Sequence, residues 1–268
     1  IAIRKAAQYG IQPTDIDLIV CATTTPDQIM PSTGALIQAQ LGATNAAGMD
    51  IFAACSGFIY GLTMVESMIR TGQIKYALVI GAEVLTKYVD YTDRGTCVIF
   101  GDGAGAAVVG PVEPGKGILA TKIRSDGRYE EQLYAPGGGT KLGTTHETID
   151  NRMHFFKMKG NELFKVAVRS MADISAEMLE KAGYTVDDVA IVIPHQANQR
   201  ITDAVASRLG VPEEKVYSNI AEHGNTSSAS IPIALDECIQ SGRVKEGDLV
   251  LLTAFGGGVT WGATVIRF

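Results

Sequence analysis

The chain holds 268 residues, 46% of them hydrophobic and 19% charged, with a formal charge of −6 and 30 glycines. That balance excludes extended disorder and argues against a nucleic-acid binder, whose footprint is a basic domain, while leaving room for a local basic patch. No apolar run approaches the roughly 18 residues that span a bilayer, and no charged-then-apolar leader stands ahead of the first element, so neither membrane insertion nor secretion is expected.

Ile1, Ile3, Ala6 and Ala7 repeat at helical spacing until Gly10 stops the run. Nearly continuous apolar stretches follow as buried strands: Ile16–Ala22, Tyr76–Gly81, Ala104–Val109, Val189–Ile193, Leu249–Thr253 and Ala263–Phe268, with further strands at Gly48–Phe52 and Ile118–Ile123. Helices are expected at Gly34–Leu41, Gly57–Arg70, Glu162–Ala182, Gln199–Leu209 and Ser228–Ile239. This alternation predicts a layered α/β fold. The polar, Gly-rich segment Tyr134–Asn151 reads as a flap in which His146 is a solvated loop residue.

The chain also repeats itself. YGIQPTDIDLIV (9–20) resembles AGYTVDDVAIVI (182–193), QLG (40–42) resembles RLG (208–210), and TGQIK (71–75) resembles SGRVK (241–245). A period of about 170 residues describes two copies of one α/β unit, with halves 1–114 and 115–268. Under these offsets Cys55 corresponds to Asn225 and His195 to Ala22. A pseudo-two-fold pairing of the halves would bring these positions to one central site.

Cys21, Cys55, Cys97 and Cys238 form no CxxC pair and stand at no metal-ligand spacing to a histidine. They read as reduced thiols of a cytoplasmic protein without a metal site. Cys21, Cys97 and Cys238 fall in apolar strand or helix interiors. Cys55 precedes a predicted helix, where free N–H groups and the dipole favour a thiolate. His195 follows the strand Val189–Ile193 directly, at the C-terminal end where α/β sheets place their sites. Asn225 opens a helix and His223 reads as a local support. The glycines after Phe255 can aim backbone N–H groups at a developing oxyanion. Neither a GxGxxG nor a Walker pattern is present.

With these residues assembled, the sequence resembles β-ketoacyl-acyl-carrier-protein synthase III of the thiolase-like superfamily. The motifs are AACSGF (53–58), DRGT (93–96), FGDGAGA (100–106), GNELFK (160–165), PHQAN (194–198), HGNTS (223–227) and FGGGVTWG (255–262). The Cys-His-Asn set separates this family from elongating synthases, thiolases and hydroxymethylglutaryl-CoA synthases. The resemblance implies a thiolase-like fold of two similar halves about a pseudo-two-fold axis, and no metal or redox cofactor. It implies Cys55 as nucleophile, His195 and Asn225 as donors to a malonyl thioester, and the N–H groups of Cys55 and Gly257 as oxyanion hole. Arg94, Gly95, Gly160, Asn161, Phe164, Ala197 and Asn198 would line the CoA and pantetheine path. Gln196, Ala197, Asn198, Gln199 and Arg200, extended by Lys165, Arg169 and Arg208, would bind an acidic carrier protein. Met30, Leu85, Phe100 and Phe255 are candidates for the acyl pocket, with Met30 reaching across a homodimer interface.

The implied partners are acetyl-CoA or another short acyl-CoA, and malonyl-acyl-carrier protein. The alternative is a related condensing enzyme making a polyketide starter, an alkylquinolone or a long-chain ketone. The repeat also leads to the expectation of roughly 55–60 further residues upstream of Ile1, which the resemblance implies would hold a strand and part of the CoA site.

Overall fold

The computed structural model describes residues 2–268 and every side chain among them except that of Asn161. The expectations for Ile1 and for the Asn161 side chain therefore lie outside the described residues. In chain order the elements are α1 (Ala2–Ala6), β1 (Leu18–Ala22), α2 (Thr33–Leu41), β2 (Ala47–Ile51), α3 (Gly57–Arg70), β3 (Ala77–Val84) and β4 (Asp102–Val109). They continue as β5 (Gly117–Ser125), β6 (Leu133–Tyr134), α4 (His146–Asp150), β7 (Lys157–Met158), α5 (Gly160–Ala182), β8 (Ile191–Pro194) and α6 (Gln199–Leu209). The chain ends with α7 (Ile220–His223), α8 (Ser230–Gln240), β9 (Leu249–Gly256) and β10 (Thr260–Arg267).

Local chemistry sets several of these boundaries. Ser32 caps α2, its side chain accepting from the Ala35 N–H, and Gly42 ends the helix at φ 66°. Gly183 ends α5 in the same way at φ 80°. The expected flap is not wholly irregular. Thr145 caps the short α4, and β6 pairs with β7 across the base of the excursion.

One sheet runs β2-β1-β3-β4 and the other β5-β10-β9-β8. In the first, β1 is parallel to β2 and β3, and β4 turns antiparallel to β3. The second repeats the pattern: β8 is parallel to β9, β10 is antiparallel to β9, and an isolated Val192–Val216 bridge takes the place of β2. β5 adds an antiparallel strand beside β10. Among the described residues nothing pairs with the outer edge of β4, which is half-exposed and not, as its composition predicts, buried on both faces.

The sheets share one helical layer. Phe58, Ile59, Leu62 and Val65 of α3 and Ile231, Ala234 and Leu235 of α8 pack with Leu18, Val20 and Val79 of one sheet and Ile191, Ile193, Val250 and Leu252 of the other. Each such apolar side chain contributes about 1.5–3 kcal/mol on burial. Residues of α2 and α1 cover the far side of the first sheet, and α5 and α6 that of the second. The result is a five-layer α–β–α–β–α stack with the central helices drawn one from each half. Among the described residues no helix is long and apolar enough to cross a membrane.

Candidate active site

Cys55 lies in a short 3-10 turn, Ala54–Ser56, that feeds α3, and Ala54 adopts a left-handed φ of 46°. The turn abuts the end of β9 so closely that a Cβ on Gly256 would stand 2.6 Å from the Cys55 nitrogen. Only glycine permits that approach. The Ser56 hydroxyl donates to the Thr260 carbonyl at 3.0 Å, fastening the turn to the second half.

Asn225 is held by the first half in return. Its N–H donates to the Ile99 carbonyl and its carbonyl accepts from the Gly101 N–H, both at 2.9 Å. Its side-chain Oδ1 accepts from the Ser227 N–H at 2.9 Å. Oδ1 is thereby spent, and the Nδ2 has no partner among the described residues. His223, two residues upstream, pairs through Nε2 with Glu237 Oε1 at 2.7 Å and supports the segment that carries Asn225.

His195 sits just past β8, with its N–H donating to the Thr253 carbonyl of β9 at 2.8 Å. It is 1% exposed. Pro194, read from sequence as the strand's terminator, is its last residue. The imidazole Nδ1 lies 2.7 Å from Ser230 Oγ. The Gln196 N–H also donates to that oxygen at 3.4 Å. With the serine hydroxyl donating, Nδ1 accepts and the tautomer carries its hydrogen on Nε2, which has no partner among the described residues. Burial pushes the imidazole down to about 3, so the ring stays neutral.

Ser228 Oγ reaches the carbonyl of Ala22, the residue that the repeat matches to His195, at 2.9 Å. The thiol itself departs from expectation. Burial pushes Cys55 up to about 12; the Ser227 hydroxyl and the N–H groups of Cys55 and Gly257 pull it back, and the Glu83 carboxylate pushes it further up. These two backbone N–H groups are the ones that the family resemblance assigns to an oxyanion hole.

The remaining candidates fall in several places. Arg94 and Gly95 are exposed on a turn fastened by Asp93, whose carboxylate accepts from the Gly95 N–H and the Thr96 hydroxyl. Cys97 lies half-buried in that turn, not in a strand or helix interior. Gly160 opens α5, and Phe164 on its next turn lies beneath the Arg200 guanidinium at 5.6 Å. Ala197 is half-buried, and Asn198 caps α6, its side chain accepting from the Arg200 N–H. Gln199, Arg200, Lys165 and Arg169 are exposed, whereas Arg208 is engaged by Asp173 at 3.0 Å.

Gln196 corrects the expectation of a carrier-binding surface running without a break from 196 to 200. It is buried, donating to the Pro194 and Tyr217 carbonyls and accepting from the Asn219 N–H. The acyl-pocket candidates occupy separate settings. Phe255 is buried among Ala167, Met171, Val205 and Val259, and Leu85 is buried in its own turn. Phe100 packs on Phe156, and Met30 is 83% exposed. Sequence reasoning passed over Glu83, Ser227 and Ser230. Their signal was a lone acid closing an apolar strand, VIGAEV, and the hydroxyl-rich run SSAS.

The 3-oxoacyl-[acyl-carrier-protein] synthase III family matches residues 49–127, and the C-terminal domain of that family matches residues 179–268. A β-ketoacyl-[acyl-carrier-protein] synthase III of Symbiobacterium thermophilum is 51% identical over all of this chain and 81% of its own length. The crystal structure of 3-oxoacyl-[acyl-carrier-protein] synthase III from Aquifex aeolicus superposes with a TM-score of 0.91 at 50% identity, covering 100% of this chain and 82% of that one. The priming β-ketosynthase of the R1128 polyketide pathway superposes at 0.89 with 37% identity, covering 99% and 79%.

Proposed function

Because the chain belongs to the 3-oxoacyl-[acyl-carrier-protein] synthase III family and is a condensing acyltransferase of fatty-acid synthesis, we propose that Cys55, His195 and Asn225 are the three side chains that perform the chemistry. Cys55 Sγ attacks the thioester of an acyl-CoA primer, and the N–H groups of Cys55 and Gly257 hold the oxyanion until CoA leaves. Malonyl-acyl-carrier protein then offers its thioester carbonyl to His195 Nε2–H and Asn225 Nδ2–H. These donors stabilise the enolate as carbon dioxide departs. The carbanion attacks the acyl group, expels Cys55 and leaves 3-oxoacyl-acyl-carrier protein. The observation that carries this reading is a pair of donors on buried residues, Nε2 and Nδ2, which have no partner among the described residues while their companion atoms are both bonded.

Acetyl-CoA or another short acyl-CoA is the primer in this reading. Arg94, Gly95, Gly160, Asn161, Phe164, Ala197 and Asn198 line the approach, and Gln199, Arg200, Lys165 and Arg169 receive the acidic carrier. We further read the halves as 1–114 and 115–268, supported by sheets drawn from each side of that boundary. The protein is a cytoplasmic homodimer in this reading. The exposed apolar side chains of Ile29 (98%), Met30 and Phe52 (79%) support a partner copy.

Incubation with acyl-CoA is expected to add one acyl mass to Cys55, lost in Cys55→Ala, and malonyl-carrier protein is expected to discharge it. Absence of the adduct on folded protein would overturn the assignment. A panel of primers and acceptors separates fatty-acid initiation from polyketide priming.

A further inference from the structure

Attack by Cys55 requires its proton to go somewhere, and the tautomer described above leaves His195 Nε2 unable to accept it. On the reading that Cys55 is the nucleophile, we propose that its proton passes through the Ser227 hydroxyl to the carboxylate of Glu83.

Glu83 lies near the end of β3 and is 3% exposed. Its Oε2 accepts from the Thr24 N–H at 3.0 Å, the Thr24 hydroxyl at 3.0 Å and the Thr25 hydroxyl at 2.9 Å. Its Oε1 lies 3.1 Å from Ser227 Oγ and 3.0 Å from Ser228 Oγ. Among the described residues no lysine, arginine or histidine pairs with it. The thiols of Cys21 on β1 and of Cys55 feel its charge, while Asp102 on the paired strand β4 accepts from the Thr86 N–H and hydroxyl. A buried carboxylate without a cation is costly to keep ionised, and burial raises its proton affinity accordingly.

Ser227 is held in a left-handed conformation, φ 51°, that a serine rarely adopts. Its hydroxyl lies 3.1 Å from Glu83 Oε1 and is the side-chain group that eases ionisation of the Cys55 thiol. Strain persisting at such a point marks a functional requirement. Ser228 supplies the second half of the arrangement, because its oxygen lies 2.9 Å from the Ala22 carbonyl as well as 3.0 Å from Glu83. Its single hydrogen serves one acceptor at a time. When Glu83 is ionised, that hydrogen can turn to it; when Glu83 holds a proton, the hydrogen turns to Ala22 and the Ser228 oxygen accepts from the carboxyl.

The step balances. Sγ forms a bond to the thioester carbon as the S–H proton moves to Ser227 Oγ and the serine's own proton moves to Glu83. Collapse of the tetrahedral intermediate breaks the bond to the CoA sulfur, and the proton returns through Ser227 to leave CoA as a free thiol. Glu83 ends as the carboxylate it began as. It acts through Ser227 and is a positioning and proton-holding residue.

The test compares wild type, Glu83→Gln and Ser227→Gly by the rate of Cys55 acylation from acetyl-CoA across pH 6–10, read by quenched mass spectrometry. Wild type is expected to reach a plateau once Glu83 is ionised. In Glu83→Gln the attack must await thiolate, so the rate falls on the order of 100-fold at neutral pH and climbs tenfold per pH unit. Ser227→Gly removes the hydroxyl while easing the backbone, so acylation is expected to fall similarly without a lower melting temperature. Glu83→Gln acylated as fast as wild type or faster, as removal of a mere repulsive charge predicts, overturns the relay. So does Ser227→Gly at the wild-type rate, which decides the matter even if Glu83→Gln does not fold. Failure of wild type itself to acylate at Cys55 would instead overturn the proposed function.

Discussion

Ser230→Ala isolates the hydrogen bond that sets the His195 tautomer. The serine oxygen is 2.7 Å from Nδ1 in a buried setting, and its removal leaves an imidazole nitrogen without a partner. A buried hydrogen bond contributes about 1 kcal/mol net, and orphaning a buried polar atom costs about 1–3 kcal/mol. With the serine hydroxyl donating to Nδ1, that loss falls on the form carrying its hydrogen on Nε2, the donor proposed for the malonyl thioester. A bias weakened by about 1–2 kcal/mol corresponds to roughly 5- to 30-fold in the population ratio. The ceiling is the roughly 100- to 1000-fold loss of a missing oxyanion donor. We therefore expect decarboxylation of malonyl-carrier protein and condensation to slow by about tenfold, while Cys55 acylation changes by less than about twofold. Measuring the two half-reactions separately on one preparation decides it. Equal losses in both, or an unchanged condensation rate in a folded protein, would refute the tautomer argument.

Three further outcomes follow from the same geometry. His195, pushed down to about 3 from 6.5 by burial, is neutral when folded and protonated when unfolded between those values. The unfolded state then binds more protons, so stability declines as pH falls from 6.5, by about 1.4 kcal/mol per pH unit. At pH 5 His195→Gln is expected to escape about 2 kcal/mol of that decline, measured as the difference between the two proteins in urea unfolding at pH 5 and 7. Gly256→Ala sets a Cβ 2.6 Å from the Cys55 nitrogen and 3.2 Å from its Cα; it should cost about 1–3 kcal/mol in stability and on the order of 100-fold in acylation through displacement of the nucleophile. Unchanged acylation would show that this close approach does not position the thiol. Arg200→Glu should raise the KM for malonyl-carrier protein by about tenfold, more than it raises that for acyl-CoA. The difference should shrink at high salt.

The layered fold was legible because its signals are local. Strands buried on both faces read as apolar runs, and the helices announce themselves through Ser32, Gly42 and Gly183. The repeat supplied what local signals lack, a reason to expect Cys55, His195 and Asn225 at one site. Legibility ended where a residue's setting depends on the other half. β4 reads as a buried strand because composition records apolarity and not neighbours, and Gln196 reads as surface because its bonds to Tyr217 and Asn219 span more than twenty residues. Glu83 is the sharpest case, since an acid in VIGAEV carries no hint of the threonines and serines that converge on it from residues 24–25 and 227–228.

The state of the Cys55 thiol shows how magnitude, not sign, decides such a reading. A helix N-terminus favours a thiolate by about 0.3–1 kcal/mol, up to about 2 in partly buried geometries. Cys55 nevertheless moves from 9.0 to about 12, which is worth roughly 4 kcal/mol in the opposite direction. Removing the sulfur from water therefore outweighs the dipole, the Ser227 hydroxyl and two N–H groups together. Cys55 rests as a protonated, shielded thiol, so iodoacetamide should alkylate it slowly at neutral pH, in contrast to the acylation expected from acyl-CoA. A group that must be neutral at rest and anionic in attack needs its proton accepted within the site, and that requirement is what gives a buried carboxylate one hydroxyl away its chemical significance.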